Sequence, residues 1–142
     1  MPRRKSNTTV YHHTNTTGAL KILKSGRIRP SNACFGKGTY VTKMGPQQSK
    51  NKIAKNNYDG SPNYWQYHKK LGKTDVAMEL KMPRAKITSV NETGRDVYKV
   101  KGGISTKFIH RVHFRKKDNQ NMFASLSKPK RKKKDNPVRL RF

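Results

Sequence analysis

The sequence predicts an α+β domain of one early helix and about six strands, arranged as two packed sheets enclosing a cleft. Three observations lead there. Only 31% of the 142 residues are hydrophobic, well below the roughly 45–50% of ordinary soluble domains, yet nearly all the aliphatic and aromatic runs fall between Val10 and Phe114. One stretch, about Thr17 to Ser25, has helical apolar spacing and marked ends. Short segments rich in β-branched and aromatic residues recur through the rest.

Taken in order, Met1–Asn7 is a short basic arm, and Val10-Tyr11-His12-His13 reads as a strand. The helix follows: Asn15 or Thr16 can cap it, Ala19, Leu20, Ile22 and Leu23 form its apolar face, and Gly26 stops it. Arg27–Pro30 leaves it in extended form. Phe35–Thr42 is a glycine-punctuated turn feeding a second strand. Met44 to about Leu71 is polar and broken by Pro46, Gly60 and Pro62, with Ser49–Asn56 a candidate helix inside it. Trp65 and its neighbouring tyrosines are expected to pin this long loop to the domain. Further strands are expected at Val76–Met82, Ile87–Val90, Asp96–Val100 and Lys107–Phe114. Val76, Met78 and Leu80 alternate with Ala77, Glu79 and Lys81, the period of a half-buried strand. The organisation expected is an arm at 1–7, one domain at 8–114, and a basic, largely disordered tail at 115–142. That tail is mostly Lys, Arg, Asn, Ser and Pro, and cannot bury enough to offset its ordering entropy.

Charge is the strongest compositional signal. Lys and Arg number 34 against 7 Asp and Glu, for a net charge of +27. The tail from Arg115 holds 11 basic and 2 acidic residues, so most of the excess sits on the body. Such a field attracts polyanions, nucleic acid among them. Cys34, the single cysteine, excludes an internal disulfide, and no Cys/His cluster has zinc-site spacing. Met1–Thr9 lacks the apolar stretch of a secretory signal, and no run approaches transmembrane length. The expectation is a soluble chain without membrane insertion, acting inside a cell, with Lys130–Lys134 resembling a nuclear localisation or nucleic-acid patch.

Three pieces carry chemistry. Val10–Thr14 is a strand ending in histidine and a hydroxyl residue. Phe35-Gly36-Lys37-Gly38-Thr39-Tyr40 is a glycine turn entering a strand with an aromatic; it has neither the third glycine of a dinucleotide fingerprint nor the Lys-Ser/Thr ending of a P-loop. The third is an acidic residue on a late strand. In order and spacing these resemble the His-Tyr-Glu branch of the ADP-ribosyltransferases, and more closely a toxin-type subfamily with a His-Tyr-Asp signature. Tyr11–Thr14, Ser25–Pro30 and Phe35–Thr42 fit that subfamily's run in order. The match is looser from Met44 to Phe114 and does not extend to the tail.

The resemblance implies a split β-sandwich around an NAD-binding cleft, with NAD⁺ as substrate and no metal. The ADP-ribose would pass to a macromolecular acceptor, nucleic acid included, or to water, in a toxin, effector or defence setting. His12 would bond an adenosine-ribose hydroxyl, Thr14 would add a polar contact, Gly36 and Gly38 would admit the dinucleotide closely, and Tyr40 would stack on nicotinamide. Adjacent strand residues face opposite ways, so only one of His12 and His13 can face the cleft, and the family register selects His12. Among the acids, Asp118 and Asp135 lie in the tail, Asp59 in the loop, Asp75 before a strand and Glu92 in a turn. Asp96, opening a late strand, is the first candidate for the catalytic acid and Glu79 the second. His110 and His113 fall on opposite faces of the last strand, which argues against a shared metal. Two rivals stand beside this reading: an RNA 2′-phosphotransferase-like enzyme, whose site relies on arginines, and a non-catalytic basic nucleic-acid-binding module.

Overall fold

The computed structural model describes residues 6–33, 36–58, 63–90, 95–115 and 139–141. The architecture is mixed α+β, with antiparallel pairing throughout except at the last strand. Strand β1 (Asn7–Thr14) leads into helix α1 (Thr16–Ser25), then β2 (Arg27–Ile28), β3 (Ser31–Ala33) and β4 (Gly36–Val41). Helices α2 (Lys50–Asn57) and α3 (Tyr64–Lys70) follow, then β5 (Val76–Pro83), β6 (Ile87–Ser89), β7 (Tyr98–Val100), β8 (Ile104–Ser105), β9 (Ile109–Phe114) and β10 (Arg139–Arg141).

These strands form two four-stranded sheets, β1-β5-β9-β10 and β3-β4-β7-β6, and a two-stranded ladder, β2-β8. One apolar cluster draws on all of them. Val10, Val76, Met78, Leu80, Val112 and Phe114 come from the first sheet, Val41 and Val100 from the second, Ile28 and Ile104 from the ladder, and Ala19 from α1. Helix α1 forms where its caps predict. Asn15 accepts from the Gly18 N–H at 2.8 Å, and Gly26, at φ 84°, donates to the Ile22 carbonyl at 2.9 Å. Leu20, Ile22 and Leu23 pack against the core.

One expectation is filled out and two are corrected. The segment 44–71 is not one loop: Ser49 caps α2 by accepting from the Lys52 N–H at 3.1 Å, and Ile53 and Ala54 are fully buried beneath it. This is the candidate helix expected at Ser49–Asn56, although two apolar residues in eight are too few to show a period. In α3 no side chain is buried; it leans on α2 and its neighbour, with His68 stacked on Tyr58 at 4.1 Å and Lys55 5.1 Å above the Trp65 ring. Second, β5 is buried on both faces from Val76 to Leu80, not on one. It is central between β1 and β9, and the chain at 43–48 lies over its polar face. Third, Arg139–Arg141 pairs in parallel with Arg111–His113 of β9, so part of the tail region belongs to the first sheet. Lys130–Lys134 lies outside the described residues.

Among the described residues, no helix is long and apolar enough to cross a membrane. A packing prediction follows from α1. A Cβ added at Gly18 would collide with the Thr14 hydroxyl and crowd the Asn15 cap at 3.1 Å. Helix propensity would favour alanine by about 1 kcal/mol, whereas overpacking costs about 1–3 kcal/mol. Gly18→Ala is therefore expected to lower Tm in a thermal melt; a raised Tm would contradict the packing described.

Candidate functional site

The two signature segments meet where the sheets join. Tyr11 and Thr42 exchange backbone hydrogen bonds, N–H to carbonyl, at 2.7 and 3.0 Å. One residue along, the His12 ring sits with Nδ1 3.4 Å from the Tyr40 carbonyl oxygen. A carbonyl can only accept, so this long contact places the ring proton on Nδ1 and leaves Nε2 an acceptor. Burial lowers the His12 pKa from its ordinary 6.5, an effect only partly opposed by the Tyr40 contact. The ring is thus neutral at pH 7.

His12 shares its sheet face with Val10, Met78 and Val112, the face that forms the core, as the cross-strand partners require. Thr14 is on this face too, but it is buried and its hydroxyl packs against Gly18 of α1. Thr14 thereby joins strand and helix.

Tyr40 is half-exposed and pairs across strands with Lys99, while its hydroxyl donates to the Gly36 carbonyl. Both flanking glycines have structural reasons. Gly36 sits at φ 96°, which disfavours any side chain. A Cβ on Gly38 would come within 2.7 Å of Lys99 Cγ, so the space that this glycine opens is filled by the lysine stem. The lysine's Nζ extends on to Gly36, 3.3 Å from where a Cβ would stand.

Asp96 lies at the far end of β4. Its Oδ1 accepts from the Lys43 N–H at 2.9 Å. Its backbone is held on both sides by Asn56 of α2: Asp96 N–H donates to Asn56 Oδ1 at 2.8 Å, and Asn56 Nδ2 donates to the Asp96 carbonyl at 2.8 Å. Asp96 therefore precedes strand β7 by two residues and does not open it, because its backbone groups are spent on Asn56. Nothing in the local sequence flags Asn56 for this role.

Glu79 is elsewhere. It faces Tyr11 on one side and Arg111 on the other, on the sheet face opposite to His12. Its Oε1 meets His113 Nε2 at 2.8 Å, and it is 8% exposed. His13 shares that face and is buried; its Nε2–H donates to the Met44 carbonyl at 2.8 Å, and Nδ1 has no partner among the described residues. The structure thus gathers His12, Tyr40, Gly36 and Gly38 along β1 and β4, adds Asp96 at the end of that strand, and sets Glu79 apart with His113. No three His, Cys, Asp or Glu side chains cluster as a metal would need among the described residues.

Burial pushes the His13 pKa down to about 4, opposed by the Met44 contact and helped by His12, Arg115 and His113 nearby. Between pH 4 and 6.5 the unfolded chain therefore binds the extra proton, and stability rises with pH. This contribution is complete above pH 6.5 and is lost as pH falls towards 4, amounting to roughly 3 kcal/mol. His13→Gln keeps a donor for Met44 but does not titrate, so its urea midpoints should fall less steeply across this window than those of the wild type. Equal slopes would contradict the burial described.

The chain matches no protein-family model, and no characterised protein is similar enough to count as a relative.

Proposed function

We propose that the chain is an NAD⁺-dependent ADP-ribosyltransferase or NAD glycohydrolase of the His-Tyr-Asp type, acting on a polyanionic macromolecular acceptor or on water. One observation carries the reading. Two segments 28 residues apart, the ones that bear the resemblance, are neighbours at the junction of the sheets, with the His12 ring against the Tyr40 carbonyl.

On this reading the Nε2 lone pair of neutral His12 accepts from a ribose hydroxyl. The half-exposed Tyr40 ring offers a flat face for nicotinamide. The Lys99 ammonium beside Gly36 provides positive charge near the dinucleotide's phosphates. Breaking the bond between ribose C1′ and nicotinamide sends the electron pair out with nicotinamide. The Asp96 carboxylate stabilises the cationic sugar that remains, until an acceptor oxygen or water adds at C1′ and loses its proton. Asp96 is favoured over Glu79 because it is fixed at the end of β4, whereas Glu79 is engaged by His113 on the other face.

A purified-protein assay of nicotinamide release separates the alternatives. Asp96→Asn retains an acceptor for the Lys43 N–H and is expected to lose about 10²–10³ in rate, with NAD⁺ affinity little changed. Glu79→Gln is expected to lower the melting temperature while leaving turnover of the folded protein within a few-fold. Full activity in Asp96→Asn with a dead Glu79→Gln would move the acid to β5. The net charge of +27 favours one second reading, the non-catalytic nucleic-acid-binding module. A wild type that releases no nicotinamide with any acceptor would decide for it.

A further inference from the structure

Beside the glycine strand lies an open groove of about 390 Å³, lined by Ser25, Arg27, Arg29, Pro30 and Lys37. Its volume lies at the lower end of the roughly 300–1,000 Å³ range of ligand-binding clefts, and three of its five lining residues are cations. Arg27 and Arg29 are two apart on extended chain, so both project to one side while Ile28 between them is buried in the core. Arg27 is also positioned: its guanidinium lies against Gly103, where a Cβ would come within 2.9 Å of Nη2. Arg27, Arg29 and Lys37 are all exposed, and none forms an ion pair among the described residues.

The geometry points to this groove as a docking track for the phosphodiester backbone of single-stranded nucleic acid. Two guanidiniums and an ammonium in one concavity match successive phosphates, and no carboxylate is among the described lining residues to repel them. None of the described lining residues carries an aromatic or amide side chain to read bases, so the contacts that these five residues offer are sequence-independent. A concavity of about 390 Å³ is too small to seat a duplex but takes the sugar-phosphate backbone of one strand. The location is informative as well. Lys37 stands between Gly36 and Gly38, and Ser31, following Pro30, pairs with Gly38, so a bound strand runs alongside β4 towards Tyr40. This deepens the acceptor side of the enzyme proposed above and rests on that reading only for its purpose; the binding itself is measured without NAD⁺, so either idea can fail alone.

The test is fluorescence anisotropy of a labelled 20-nucleotide single-stranded RNA against salt concentration. The triple variant Arg27→Gln, Arg29→Gln, Lys37→Gln is compared with a control that neutralises Lys52, Arg84 and Lys86, three exposed cations outside the groove. The groove variant is expected to lose at least tenfold in affinity, and its log–log salt slope should be shallower by about two, near 0.7 for each lost phosphate contact. The control is expected to lose much less, two unrelated sequences should bind alike, and millimolar NAD⁺ should leave RNA binding unchanged. Arg29→Gln alone, at an exposed position, should show a smaller loss in the same direction if the triple variant melts early. Equal losses in both triple variants would show diffuse attraction with no track. Competition by NAD⁺ would assign the groove to a dinucleotide diphosphate, and a wild type that does not bind RNA would overturn the proposal outright.

Discussion

Two backbone hydrogen bonds between Tyr11 and Thr42 join the sheets of this protein, and most of its geometry depends on them. They fix the strand that carries His12 beside the strand that carries Tyr40. The same pairing starts the chain at Met44 across the polar face of the first sheet, where His13, Arg115 and Tyr11 receive it. Thr42 also anchors the next layer: its hydroxyl accepts from the Met44 N–H at 3.1 Å and from Asn56 Nδ2 at 3.4 Å. Asn56 then grips both backbone groups of Asp96. A buried amide with this many partners is costly to lose, since each orphaned group costs about 1–3 kcal/mol. The junction, the covering helix and the candidate acid are therefore one hydrogen-bonded unit.

Charge is distributed by the same economy. The seven acidic residues are far too few to neutralise 34 cations. Those that the structure describes are used internally: Glu79 with His113, Asp75 with Lys50 at 2.9 Å, and Asp96 with the Lys43 backbone. The exposed surface is left with an uncompensated positive field, and Arg27, Arg29 and Lys37 concentrate part of it in one concavity.

Much of the frame was legible in sequence, and the reasons for the rest are physical. Helix α1 and strands β1, β4, β5 and β9 announce themselves through caps and apolar period, and the structure has them within a residue or two, except that β1 starts three residues earlier than expected, at Asn7. Helix α2 shows only as a candidate and α3 not at all, because Ser49 and Asn56 hold α2 as much as its two buried apolar side chains do, and α3 buries none. The ladder of β2 and β8 is two residues long, below what any periodicity can reveal. Site residues divide in the same way. The motif singles out His12, Tyr40 and the glycines as candidates, whereas the packing of Thr14 against Gly18 and of Lys99 at Gly38, 4 and 61 residues apart, is not encoded by spacing alone. The extended form of Arg27–Pro30 is expected from sequence, but only the fold shows that Arg27, Arg29 and Lys37 line one groove.

The central claim is that the β1–β4 junction is where NAD⁺ binds. Amide chemical-shift mapping of the ¹⁵N-labelled protein during an NAD⁺ titration tests this directly. The account predicts saturable shifts concentrated at Tyr11–His12 and at 38–43, extending to Asp96 and Lys99. Shifts confined to Arg27–Arg29 and Lys37, or none at saturating NAD⁺, would contradict it.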